Sequence, residues 1–129
     1  MRRLLLDTHV LLWWLAGDPR IGPVAARLIR DGTNAVFVFA ASAWEMSIEK
    51  GQGKLRTPHE ELGIAIAEEG FLPLPITVRH GERAGELPLL HRDPFDRMLV
   101  AQAQEEGLEV VTSDPAISKY GVPTVDAAA

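Results

Sequence analysis

Two stretches near opposite ends of this chain share one pattern, an apolar run that stops on an aspartate: Leu4-Leu5-Leu6-Asp7 and Val110-Val111-Thr112-Ser113-Asp114. Unbroken apolar runs of this length suit strands buried on both faces, the usual state in a parallel sheet. Each carboxylate then falls at the carboxyl end of its strand. In open α/β sheets that edge holds the ligand crevice, at the point where the strand order reverses. Acidic groups gathered there repel one another unless a cation lies between them.

The remainder of the chain alternates between strand and helix signals. A strand over residues 3–7 leads into a short apolar helix from Thr8 to Ala16, ended by Gly17-Asp18-Pro19. Gly22-Pro23 precedes a second helix with Val24, Ala25, Leu28 and Ile29 on one face, closed by Asp31-Gly32. The run Ala35-Val36-Phe37-Val38-Phe39 reads as a central strand, and Ser42 starts a third helix running to Gly51. Residues 51–57 form a basic loop, after which Thr57-Pro58-His59-Glu60 opens a helix with proline in its first turn. Two prolines demote Phe71-Leu72-Pro73-Leu74-Pro75-Ile76 to an edge strand or short connection. Thr77 caps a helix that ends near Leu87-Pro88, and His91-Arg92-Asp93-Pro94 leads into a strong helix reaching Glu106, stopped by Gly107. A strand at residues 109–112, a short helix after Asp114 and an edge strand at Thr124-Val125 finish the chain. This order predicts an α/β three-layer sandwich, with a mostly parallel central sheet flanked by helices. With 129 residues and no internal repeat or linker, residues 1–129 read as a single domain.

Composition removes several functions. The chain has no cysteine, which excludes disulfides, thiolate zinc sites and cysteine nucleophiles and fits a reducing cytoplasm. A net charge of −5 argues against broad coating of nucleic acid by a basic surface, but leaves open a phosphate held through a metal ion. Asp7, Thr8 and His9 break the N-terminal apolar stretch into pieces too short for a secretory signal core. No other run approaches the roughly 20 residues of a membrane span. The expectation is a soluble, cytoplasmic protein without a membrane partner.

Five acidic residues carry the chemical argument: Asp7, Glu45, Asp93, Asp96 and Asp114. Each has a structural explanation beside the functional one. Ser42-Ala43-Trp44-Glu45 fits a capping box. Asp93-Pro94-Phe95-Asp96 has a cap aspartate, proline at the first helical position and a second acid where the helix dipole favours negative charge. Asp114-Pro115 reads as a turn initiator or cap. Asp7 follows three leucines and precedes an apolar helix, so its carboxylate needs solvent, a partner or a metal. Asp7, Glu45, Asp96 and Asp114 are expected near one sheet edge, where helix starts also cluster, so capping and ligation are compatible roles. Oxygen ligands without cysteine point to Mg²⁺ or Mn²⁺ rather than zinc. Such an ion suits phosphodiester hydrolysis, by activating water and stabilising the leaving oxygen.

The chain resembles the PIN-domain ribonucleases, particularly the toxin component of bacterial VapBC toxin–antitoxin pairs, over essentially its whole length. The matching pieces are Leu5-Leu6-Asp7-Thr8-His9, Ser42-Ala43-Trp44-Glu45, the segment from Asp93 to Ala103, and Thr112-Ser113-Asp114. By this resemblance the family's acidic quartet falls on Asp7, Glu45, Asp96 and Asp114, with Asp7 and Asp96 as principal metal ligands. Asp93 would extend the site or serve only as a cap, and Thr112 or Ser113 would orient a carboxylate or contact a phosphate. Thr8, His9, Arg92 and Arg97 are candidate substrate contacts. The resemblance implies a Mg²⁺-dependent endoribonuclease (Mn²⁺ as alternative), with RNA as substrate and a cognate antitoxin covering the cleft. The tryptophan pair Trp13-Trp14 and the family together imply a homodimer.

Other residues receive plainer readings. His59, His80 and His91 lack metal-ligand spacing and are expected on the surface. At most one of Trp13 and Trp14 is expected deep in the core, and Trp44 is expected to pack, base stacking being the alternative. Lys50, Lys54 and Arg56 would line a phosphate path or remain solvated. A haloacid-dehalogenase-like phosphatase would need an aspartate where His9 stands. The remaining competitor is a non-catalytic PIN-like protein-binding module.

Overall fold

A computed structural model describes residues 1–51 and 62–129. The expected helix start at residues 57–60, with Lys54, Arg56 and His59, lies outside the described residues, as does the side chain of Lys50. The elements are β1 (Arg3–Leu6), α1 (Thr8–Ala16), α2 (Pro23–Arg30), β2 (Ala35–Phe39), α3 (Ser42–Gly51), α4 (Leu62–Glu68), β3 (Leu72–Leu74), α5 (Val78–Glu86), α6 (Pro94–Glu106), β4 (Glu109–Thr112), α7 (Pro115–Ser118) and β5 (Thr124–Asp126).

The strands form one five-stranded sheet, ordered β3-β2-β1-β4-β5, and every neighbouring pair is parallel. Strand alternation sorts the three β1 leucines, all 0% exposed, to opposite faces. Leu4 and Leu6 join Val10, Leu11 and Ile29 from α1 and α2, whereas Leu5 meets Leu99, Val100 and Ala103 from α6. Helices therefore cover both faces, giving the expected α/β sandwich. The central position belongs to β1 rather than to β2, whose neighbours are β1 and the proline-bearing edge strand β3.

Local signals explain the helix limits. Gly107 ends α6 with φ 66°, a left-handed conformation that glycine adopts without a Cβ penalty, and its N–H reaches the Ala103 carbonyl. Gly22 is required for space: its N–H donates to Ala127 O, and a Cβ there would overlap the Ala128 and Ala129 carbonyls. Those carbonyls matter because Ala129 O accepts the Val24 and Ala25 N–H groups that open α2. Val24 itself is 49% exposed, so the buried stripe of α2 rests on Ala25 and Ile29.

One expectation about a large side chain is corrected. His80 is 1% exposed, not on the surface. It completes a capping box, its N–H donating to Thr77 Oγ1 and its Nδ1 accepting the Thr77 N–H, while Nε2 lies 2.9 Å from Glu106 Oε1. Trp13 and Trp14 both remain half-buried on a groove of about 620 Å³, with Arg20 and Arg30 over their respective rings.

Candidate active site

The strand order reverses between β1 and β4: the chain builds β2 and β3 on one side of β1, then β4 and β5 on the other. The crevice that this topology opens lies beyond the carboxyl ends of β1 and β4. Asp7 is the first residue past β1, and its N–H still donates to Val111 O at 3.1 Å. Its carboxylate is 8% exposed and makes no capping hydrogen bond to α1. Capping is a minor part of its setting, the His9 backbone N–H acting on the carboxylate less than Thr112 does. Instead Thr112 Oγ1, itself buried, donates to Asp7 Oδ2 at 2.8 Å. The same hydroxyl accepts the Asp114 N–H at 3.0 Å, so one side chain fixes both positions across the switch point. Burial pushes the Asp7 carboxyl above the ordinary range and Asp114 adds to the push, against the Thr112 hydrogen bond and His9.

Asp96 arrives from the first turn of α6. Asp93 caps that helix, its Oδ1 accepting the Phe95 N–H at 2.8 Å and the Asp96 N–H at 3.4 Å, with Pro94 at the first helical position. The cap thus sets where Asp96 stands, and its charge acts on Asp96 as well. Burial first, then Asp93, Asp7 and Glu45, push Asp96 up to about 7, with His91 opposing. Glu45 is half-buried in the first turn of α3. Its N–H donates to Ala41 O, so the helix begins one residue earlier than a cap at Ser42 would place it. The Ser42 hydroxyl is buried and lies 2.8 Å from Thr8 Oγ1, pinning α3 against α1. Asp114 is a true cap, Oδ1 accepting the Ala116 N–H at 2.9 Å, and its Oδ2 faces His91.

His91 is the site residue that spacing rules miss. It stands on the connector between α5 and α6, its N–H donating to Tyr120 Oη at 2.9 Å. Its Nε2 lies 2.8 Å from Asp96 Oδ2 and 3.4 Å from Asp114 Oδ2. That nitrogen is buried yet lacks a hydrogen bond of acceptable direction, so the contact is one of proximity. The surface placement expected for His91 is therefore wrong. A local signal existed, a histidine two residues before a cap aspartate, but its partners come from other turns of the chain.

The candidate substrate contacts divide. His9 is exposed and, with Asp7, Val10, Trp13, Ser113 and Asp114, lines a cavity of about 200 Å³. Arg92 is exposed beside the cap. Thr8 is 2% exposed and joined to Ser42, which makes it a packing residue. Arg97 donates to the carbonyls of Ala84, Leu87 and Pro88, so its guanidinium holds the α5–α6 connector instead of facing substrate. Trp44 is 65% exposed, meeting only the edge of Phe95 at 5.3 Å among aromatic rings of the described residues, so packing does not explain it.

The donor set fits a divalent cation: one donor atom each from His91, Asp96 and Asp114 lies within 4.8 Å of the others, with the buried Asp7 carboxylate acting on Asp96. Excess negative charge in a partly desolvated crevice, with a nitrogen that lacks a hydrogen bond beside it, is the electrostatic state that a bound cation relieves.

A parallel sheet carrying acids at its switch point is shared by several classes of α/β protein, and sequence separates them. The PIN domain family model matches residues 4–123, and the chain belongs to that family. Among known relatives, Ribonuclease VapC22 of Mycobacterium tuberculosis is 29% identical over 125 residues, covering 95% of each chain. Of solved structures, VapBC2 from Rickettsia felis, bound to a DNA fragment from its promoter, superposes with a TM-score of 0.67 at 14% identity, over 96% of this chain and 97% of that one. FitAcB from Neisseria gonorrhoeae gives 0.62 at 22% identity, over 95% and 96%. These two likenesses establish the shared fold.

Proposed function

We propose that residues 1–129 form a single PIN nuclease domain that hydrolyses RNA internally with a divalent ion, as the toxin of a type II toxin–antitoxin pair. What supports this reading is the geometry at the switch point: the Thr112 hydroxyl joins the Asp7 carboxylate to the Asp114 backbone, and Asp96 and Asp114 both stand against His91 Nε2. The relationship to Ribonuclease VapC22 supports RNA as the substrate, and the likeness to VapBC2 supports an antitoxin as partner. Asp7, Glu45, Asp96 and Asp114 would hold the ion, Mg²⁺ with Mn²⁺ as the alternative. When bound, it supplies Lewis acidity to the phosphoryl oxygen and lowers the pKa of a bound water. Thr112 keeps Asp7 Oδ2 in a fixed direction, and the Asp93 cap does the same for Asp96. Asp96 must be ionised to take part, which in the metal-free protein requires a pH above about 7. Ser113 and His9 line the adjoining cavity, where a phosphate or sugar would rest.

No helix among the described residues is long and apolar enough to cross a membrane. Cytoplasmic residence and a homodimer complete the proposal. The deciding experiment is cleavage of an RNA substrate with Mg²⁺, with a chelator, and by Asp7→Asn. Cleavage is expected only in the first, with the variant down by about 100-fold or more. Binding of the antitoxin without metal-dependent cleavage by the wild type would assign the chain to a protein-binding module instead.

A further inference from the structure

We propose that His91 is a nitrogen ligand of the divalent ion, sharing it with Asp96 and Asp114, and that this site therefore favours Mn²⁺ over Mg²⁺. The inference rests on the metal-dependent reading above and adds to it a ligand and a metal preference.

The geometry comes from three separate parts of the chain: the α5–α6 connector, the first turn of α6 and the end of β4. Ligands at adjacent corners of a six-coordinate ion, each about 2.1 Å from it, lie about 3 Å apart. The distances of 2.8 and 3.4 Å from His91 Nε2 to the Asp96 and Asp114 oxygens bracket that spacing. Nε2 is buried and lies close to both carboxylates without a properly oriented hydrogen bond to either. An imidazole placed there for hydrogen bonding would be aligned with one oxygen. One that shares a central ion with both is expected to sit between them. The backbone that carries the ring is also fixed, since the His91 main-chain N–H donates to Tyr120 Oη.

The chemical consequence follows from ligand type. Imidazole suits first-row transition ions, whereas Mg²⁺ prefers an oxygen shell and keeps its waters. One nitrogen among carboxylates tilts selectivity without excluding Mg²⁺.

The test uses the full-length chain without a histidine tag, loaded with Mn²⁺ and read by pulsed electron paramagnetic resonance. A directly bonded ¹⁴N coupling is expected in the wild type, replaced by a ¹⁵N coupling when histidine is isotopically labelled. It should persist in His9→Gln and vanish in His91→Gln. Calorimetric titration should show Mn²⁺ binding weakened about tenfold or more in His91→Gln, with Mg²⁺ binding changed by less than about threefold. The labelled wild type gives the answer even if the variant folds poorly. Mn²⁺ binding and RNA cleavage without a histidine nitrogen coupling would overturn this assignment and leave the nuclease reading intact. Tighter Mn²⁺ binding in His91→Gln would also overturn it, because the ring would then be a cation competing for the carboxylates. Failure of the wild type to bind any metal or to cleave RNA would overturn both.

Discussion

Thr112 shows how much one hydroxyl can organise. It donates to the buried Asp7 oxygen and accepts the backbone N–H of Asp114, so the two halves of the switch point share one atom. Thr112→Val keeps the shape and removes both bonds. The buried carboxylate then loses its hydroxyl donor, a change of about 1–3 kcal/mol in stability, measured by denaturant unfolding in chelator. Cleavage should fall by about 10- to 100-fold because Asp7 is no longer oriented, the usual scale for groups that hold a metal ligand. A variant with unchanged activity would show that Thr112 serves stability alone. Of the sequence-level options for this residue, orienting a carboxylate is the one its contacts match; Ser113 instead is exposed and lines the cavity.

At the scale of the element, α6 separates two kinds of acid only three residues apart. Asp93 is bonded to the helix start, whereas Asp96 projects to the crevice and carries the burden of its neighbours. Asp93→Ala should cost about 1 kcal/mol with or without metal, the normal effect of losing a cap. Asp96→Asn should do the opposite without metal: relieving repulsion, it should raise the melting temperature while abolishing cleavage. A metal-free loss in Asp96→Asn larger than that of Asp93→Asn would mean that Asp96 is a structural residue. The connector before α6 is braced independently, by Arg97 on three carbonyls, by Arg79 and Arg83 on Glu105, and by His80 on Glu106. His91 itself is tied by its main-chain N–H to Tyr120 Oη.

For the whole molecule, the crevice couples folding to protons and to metal. The folded pKa of Asp96 is raised to about 7, while an unfolded aspartate titrates near its ordinary value of about 4. Between these values the folded state retains a proton that the unfolded chain has released, so stability must fall as pH rises through the window. Metal-free unfolding measured from about pH 4 to pH 7 should show that decline, and Asp96→Asn should flatten it. Near pH 7 a divalent ion should reverse the effect, raising the melting temperature in proportion to the logarithm of its concentration above the dissociation constant. No shift with millimolar Mg²⁺ or Mn²⁺ would refute the assembled site.

The sequence by itself determined the alternation of elements, the two prolines that place β3 at an edge, the caps Thr77, Asp93 and Asp114, and the apolar runs that make β1 and β4 interior strands. These are local properties: backbone dihedrals, capping groups and hydrophobic periodicity act within a few residues. Which strand became central, and which polar side chains met, depended on contacts between residues far apart in the chain. The burial of His80, the turning of Arg97 onto carbonyls and the arrival of His91 between Asp96 and Asp114 follow from how α5, α6 and β4 pack together. A histidine before a helix start has no preferred partner until the fold supplies two carboxylates around it, and only tertiary structure does that.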